Sequence, residues 1–173
     1  VIEVPLLRAS DGKRADVLWM LSEAALVYIL GGDPGYLGTT LLQGVVSPRL
    51  AQALAQGRAV AGSSAGAMVL AERVLLRSRN PRPDARHAVG GMAVVPGTVV
   101  IPHFERVEQG WLEAAHREAP DHLVLGLDEC TGAVWDGRGW RAHGPGRVVV
   151  MGPGSGRAEH RDGDAVELPD PVV

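Results

Sequence analysis

Two short apolar runs, each closed by glycine, constrain this chain more than any other feature. Residues 25–30 (ALVYIL) stop at Gly31-Gly32, and residues 58–62 (RAVAG) run into Ser63-Ser64-Ala65-Gly66. Such runs are too short for a helix and offer no polar side to water. The first, wholly apolar, therefore reads as a strand buried on both faces, as in a parallel sheet, and the second as another short strand. Residues 122–127 (HLVLGL) repeat the pattern. Between them lie helical segments: residues 16–24, a helix opening at Ser47-Pro48 with Leu50, Ala51, Leu54 and Ala55 on one face, residues 67–73, and residues 107–119 before Pro120. Strand and helix in alternation predict an α/β fold with a mostly parallel sheet. Further strands are predicted at residues 1–5 and on both sides of the Pro96-Gly97 turn, at 94–95 and 99–101. Residues 77–88 are polar and proline-bearing, hence a surface loop. Residues 132–135, 139–142 and 147–151, parted by glycine turns, predict a closing antiparallel meander, with the tail from Gly152 lying on the surface.

Composition narrows the partners. With 173 residues, 46% hydrophobic, the chain suits one domain with a single core. The net charge is −3, and no Lys or Arg run forms a stripe, so a nucleic-acid partner is not expected. Cys130 is the sole cysteine, which excludes an internal disulfide and a cysteine metal cluster. No apolar stretch approaches the ~20 residues of a membrane helix. The cytoplasm is the default compartment, and no metal or organic cofactor is expected.

The sharpest chemical feature is Gly62-Ser63-Ser64-Ala65-Gly66. Strand before and helix after make it a G-x-S-x-G nucleophile elbow, in which glycines permit a strained turn and leave the Ser64 hydroxyl uncovered. A helix beginning at the serine adds free N–H groups that stabilise an oxyanion. The base expected for it is His103, in Val99-Val100-Ile101-Pro102-His103-Phe104, just past a strand's C-terminal end, where sites gather in α/β sheets. The other five histidines (His87, His116, His122, His143 and His160) lack that placement. An acid must orient the base, and Asp128-Glu129 follows the strand at 122–127, so one of the two is well placed. The order Ser, His, acid departs from the Ser, acid, His order of α/β-hydrolases.

That order, with Ile29-Leu30-Gly31-Gly32-Asp33-Pro34, the elbow, Pro102-His103-Phe104 and Gly126-Leu127-Asp128-Glu129, closely resembles the dipeptidase E and cyanophycinase family of serine peptidases. The likeness runs from about Val1 to Gly152. It implies a three-layer sandwich of the class I glutamine amidotransferase-like type, with Ser64 as nucleophile, His103 as base, and Glu129 at the family's acidic position. It also implies an oxyanion hole from the N–H groups of Gly32 and Ala65. The expected reaction is hydrolysis of small peptides through an acyl-enzyme, by a monomer or homodimer. The alternative is a catalytically inactive amidotransferase-like binding protein. A true amidotransferase would carry cysteine at the elbow. Relative to the family pattern, a strand and helix upstream of Val1 are missing, so either upstream chain or a partner is expected to fill the sheet.

Substrate contacts are expected at Asp33, which stands where the family often has Asn, and at Glu105 and Arg106. The family's arginine cluster after the histidine is reduced here to Arg106 among Glu105 and Glu108. Neutral or basic N-terminal residues are therefore expected over aspartate, with Glu105 or Glu108 holding the amine. Arg77, Arg79 and Arg82 are the cations that would have to reach the pocket if an acidic substrate were preferred.

Overall fold

A computed structural model describes residues 1–78, 85–154 and 156–172, and the side chain of Glu108 is outside the description. Residues 1–7 are irregular, so the strand predicted at residues 1–5 does not form. Among the described residues no strand lies alongside to supply ladder partners, and β-branched residues alone do not hold an extended edge. A 3-10 turn (Asp11–Lys13) leads into helix α1 (Ala15–Glu23), then β1 (Leu26–Ile29), α2 (Pro34–Leu42), α3 (Val46–Ala55), β2 (Ala59–Gly62) and α4 (Ala65–Leu70). The second half contains β3 (Ala71–Arg77), β4 (Arg86–Gly90), β5 (Val95–Pro102), α5 (Phe104–Glu118) and β6 (Leu123–Leu127). It closes with β7 (Gly132–Trp135), β8 (Trp140–His143), β9 (Val148–Met151), β10 (Arg157–His160) and β11 (Ala165–Val166).

The strands among the described residues form three sheets. β1 and β2 pair in parallel as a two-stranded unit, and a six-stranded sheet runs β10-β9-β6-β5-β3-β4, parallel at its centre and antiparallel towards its edges. A third sheet, β11-β8-β7, is antiparallel. The central strands alternate strictly. Val99 and Ile101 of β5, Val124 of β6, and Val149 and Met151 of β9 pack beneath α5 with Phe104, Ala114 and Ala115. Val100, Leu125, Val148 and Val150 face the other way, onto Ala142 and Val166 of the third sheet. This is the two-sided burial predicted for the 122–127 run. One face of the large sheet is thus covered by α5 and the other by strands.

Several expectations are corrected. The segment 25–30 is a strand, but Leu26, Tyr28 and Leu30 on one face are exposed, and only Val27 and Ile29 turn into the core. The helix expected at 67–73 ends at Leu70, and Ala71–Arg77 is strand β3, whose apolar Val74 and Leu75 fill the two sides of the sheet. Helix α3 begins before Ser47 and buries Val46, Leu50 and Ala53, while Ala51 and Ala55 face solvent. The two short strands around Pro96-Gly97 are one strand, β5, whose pairing with β3 shifts register between Ala71 and Arg73. The loop at 77–88 is flanked by β3 and β4, which pair antiparallel from Arg73↔Gly90 to Arg77↔Arg86; its residues 79–84, with Arg79 and Arg82, lie outside the described residues. The closing meander is divided. β7 and β8 form a hairpin, whereas β9 joins the large sheet beside β6, and the tail supplies β10 and β11.

Candidate active site

Register brings the motif residues to one edge. Ile29 pairs with Gly62 at the ends of β1 and β2, so Gly31-Gly32 and Ser63-Ser64 emerge side by side. Pro102 pairs with Leu127 at the ends of β5 and β6, so His103 and Asp128-Glu129 emerge together. The glycines at the elbow are required by contact. A side-chain carbon on Gly66 would overlap the Ile29 carbonyl, and one on Gly62 would overlap the Gly66 peptide. The turn between them holds Ser64 at φ 52°, ψ −118°, a conformation that costs an L-residue about 1–3 kcal/mol and persists only where its surroundings enforce it. His103 is likewise left-handed, at φ 56°, ψ 36°. It is fixed by the next residue, because Phe104 is fully buried with its ring over Gly126, where any side-chain carbon would lie 2.6 Å from the ring. The pairing of Phe104 with Gly126 thus explains two of the motifs at once.

Ser64 Oγ lies 3.0 Å from His103 Nε2, and His103 Nδ1 lies 2.7 Å from Glu129 Oε1. One proton arrangement satisfies both contacts, with Nδ1–H donating to Glu129 and the Ser64 hydroxyl donating to Nε2. The imidazole and the Glu129 carboxylate are each about two-fifths exposed, which leaves the relay open to an incoming ligand. Asp128 turns the other way. Its Oδ2 accepts from the Arg147 backbone N–H at 2.9 Å and from Nε at 2.8 Å. Burial pushes the Asp128 carboxyl upward, but the hydrogen bonds and charge of Arg147 outweigh it and hold the group below the usual carboxylate range. Of the two adjacent acids, Glu129 is therefore the one on the imidazole and Asp128 the one that anchors the loop.

A cleft of about 730 Å³ opens over Ser64 and His103. Gly32, at φ 134°, and Ala65, the first residue of α4 with no intrahelical acceptor for its N–H, both line it. Gly31 sits behind them, where a side-chain carbon would come 3.0 Å from Ser64 Cβ. The three expected substrate contacts fare differently. Asp33 lines the cleft, with Oδ1 capping α2 through the Tyr36 N–H at 2.7 Å. Glu105 and Arg106 do not line it. Glu105 Oε2 accepts the Glu129 backbone N–H at 3.1 Å, and Arg106 Nη1 lies 3.4 Å from Glu129 Oε1, so both groups brace the acid instead. The far wall is made of Leu76, Arg77, Ser78 and His87 from the β3–β4 pair, and Val107 and Trp111 from α5; of these, sequence reasoning had named only Arg77, as a cation that would have to reach the pocket.

Among the described residues, no cluster of His, Cys, Asp and Glu could hold a metal ion, and no helix is long and apolar enough to cross a membrane. Residues 2–141 match the model of peptidase family S51. The cyanophycinase of Trichormus variabilis is 32% identical over 133 residues, 73% of this chain and 45% of that protein. That of Synechococcus elongatus is 29% identical over 150 residues, 83% of this chain and 47% of that protein. The chain thus spans about half the length of the curated relatives it matches. Among solved structures, a peptidase from an acI-B1 Actinobacterium superposes with a TM-score of 0.81 at 26% identity, covering 94% of this chain and 67% of that one. A putative peptidase E from Listeria monocytogenes superposes at 0.57 and 14% identity, covering 75% and 64%, which is a likeness of fold. A mixed α/β fold shared with peptidases and a family match across most of the sequence lead to one conclusion: this chain belongs to peptidase family S51.

Proposed function

We propose that the chain is a serine peptidase of class I glutamine amidotransferase-like fold that cleaves peptide bonds through an acyl-enzyme. The observation that carries this reading is the continuous relay from Ser64 Oγ through the His103 ring to Glu129, with both links at hydrogen-bond distance. His103 Nε2 takes the hydroxyl proton as Ser64 Oγ bonds to the scissile carbonyl carbon. The Gly32 and Ala65 N–H groups receive the oxyanion. When the carbon–nitrogen bond breaks, the imidazolium returns its proton to the departing amine, and Glu129 steadies the charged ring. Water, deprotonated by the same nitrogen, then releases the acyl group and restores the serine.

Small peptides suit a cleft of this size. A second substrate reading, cyanophycin, is favoured by the likeness to two cyanophycinases. Both are tested together. A fluorophosphonate probe should label Ser64, as located by peptide mapping, and Ser64→Ala should abolish labelling together with hydrolysis of whichever substrate is turned over. Labelling that persists in Ser64→Ala, or hydrolysis that survives it at more than a trace, would overturn the mechanism, because losing a nucleophile removes several orders of magnitude. An unlabelled wild-type chain that still binds peptide would instead support the inactive binding protein.

A further inference from the structure

A second opening adjoins the cleft, and the proposed chemistry does not use it. It is a groove of about 260 Å³ between α2 and the β3–β4 pair, and Pro34, Gly35 and Leu76 line both it and the cleft over Ser64. The way α2 is held accounts for it. Asp33 caps the start of the helix, and Leu41 is buried in one cluster with Met68 and Val69 of α4. An adjoining stripe of α2, with Gly35, Gly38 and Leu42, is thereby turned towards the strands, and the two glycines have nothing to fill the space. A side-chain carbon on Gly38 would first meet Leu42 Cδ1, at 3.9 Å, and one on Gly90 of the opposite wall would meet nothing within 4 Å. Among the described residues, no ionisable side chain lines the groove, and the Thr39 hydroxyl donates to the Gly35 carbonyl at 2.9 Å. Water finds few partners in such a space, whereas an apolar group gains contact with both walls.

We infer that this groove is a subsite for one apolar side chain of a peptide substrate, of leucine or phenylalanine size, and that Gly38 and Gly90 keep it open. This rests on the peptidase reading of the adjoining cleft. Continuity selects a substrate as the occupant, since a chain seated at Ser64 meets the groove across walls common to both. At their junction a side-chain carbon on Gly35 would press on Asp33 Oδ1 at 3.3 Å and on Leu76 Cδ1 at 3.4 Å, so glycine keeps the passage clear. The absence of charge on the lining selects an apolar group over an anion or a cation. Size selects a single side chain. Roughly 150 Å³ of apolar cavity is enough to hold a benzene ring, and the groove exceeds that without being large enough for a helix or strand of a partner protein. The side chain can belong to the acyl or the leaving part of the peptide.

Binding to Ser64→Ala protein, measured by calorimetry, tests the subsite without turnover. The ligands are tetra-alanine amide and the peptides that carry a single leucine at each of its positions in turn. Each is titrated against Ser64→Ala alone and combined with Gly38→Leu or Gly90→Val, which fill the groove from opposite walls. Neither glycine has a left-handed backbone, and leucine suits a helix and valine a strand better than glycine does, so Tm should not fall in either variant. The expected result is that leucine at one position tightens binding about tenfold or more over the parent peptide, as burial of one such side chain supplies. That ratio should fall towards unity in both filled variants. The products that the wild-type chain releases from the same peptide assign the leucine to the acyl or the leaving side. A scan in which no leucine tightens binding, or a gain that either filled variant leaves unchanged, overturns the subsite. Fluorophosphonate labelling of the wild-type chain at Ser64 separates this from failure of the peptidase reading. Labelling with no leucine gain sinks only the subsite, and a gain lost on filling the groove, without labelling, sinks only the peptidase.

Discussion

Gly126→Ala is the smallest change that should disable the site from beneath. Gly126 lies in the middle of β6 with ordinary extended geometry, so alanine costs nothing in backbone conformation and adds β propensity. What opposes it is the Phe104 ring. The new methyl would sit 2.6–2.7 Å from three ring atoms, about 1 Å inside normal contact, and the ring is fully buried with nowhere to retreat. Overpacking of this kind costs typically about 1–3 kcal/mol. At about 2–4 °C per kcal/mol for a chain of this length, Tm should fall by roughly 2–12 °C. Relief requires Phe104 to move, and Phe104 begins α5 directly after His103, so the imidazole should lose its alignment. The rate of fluorophosphonate labelling at Ser64 should therefore drop more than stability alone explains at 25 °C, where most molecules are folded. Calorimetric Tm and labelling rate are measured for Gly126→Ala, Phe104→Leu and the double variant. Each single change should cost stability, and the pair should cost at least about 0.5 kcal/mol less than their sum. Strict additivity, or a Gly126→Ala protein with wild-type Tm and labelling, would refute the idea that this contact positions the base.

Three further expectations follow from neighbouring contacts. Asp128→Asn should cost about 1.5–3 kcal/mol at neutral pH, since it removes the charge that Arg147 binds. Because the folded Asp128 pKa lies below its unfolded value of about 3.9, that stability is fully present above about pH 4 and is lost as pH falls through the folded value. Denaturant titrations of both proteins should accordingly converge on acidification, and a gap that widens towards low pH would contradict the sign. Glu129→Gln should slow labelling far more than Asp128→Asn does, and equal effects would reverse the assignment of the two acids. Arg106→Ala should slow labelling by less than Glu129→Gln, as the guanidinium touches the acid from an exposed position 3.4 Å away; a loss as deep as that of Glu129→Gln would mean that Arg106 contacts the reacting groups.

Ser64, His103 and Glu129 were legible as candidates because each occupies a strand end whose neighbours are chemically restricted. Gly62 and Gly66 permit backbone overlap, Phe104 and Gly126 fit each other, and Asp128 and Glu129 point apart. Elements without such restriction were misread. Residues 71–77 (AERVLLR) carry good helix formers, and only the pairing with β4 and β5 makes them a strand. Apart from Arg77, named in advance as a cation that would have to reach the pocket, the far cleft wall was illegible for a similar reason. Arg77, His87 and Trp111 are brought together from two strands and a helix by tertiary packing, and no spacing along the chain records that. Arg106 illustrates the converse, since proximity in sequence to His103 placed it near the site but could not say that it would turn to Glu129.

The division of the strands into separate sheets has its own consequence. Ser64 and the Gly31-Gly32 turn ride on the two-stranded unit, while His103 and Glu129 ride on the six-stranded one. The Ser64 hydroxyl and the His103 imidazole are thus borne by different sheets, joined through α4, which contacts strands of both, and by the packing of Met68, Val69 and Val74 with Ile29. Two strands are a marginal structure without support, and local opening of so small a unit requires less free energy than global unfolding. Loss of the smaller unit's docking would separate Ser64 from His103 while the larger sheet kept its hydrogen bonds. In rising urea, reactivity at Ser64 should therefore disappear before the far-UV circular dichroism does, so that an activity assay on this chain measures the seating of one sheet against another, and not how much of the molecule is folded.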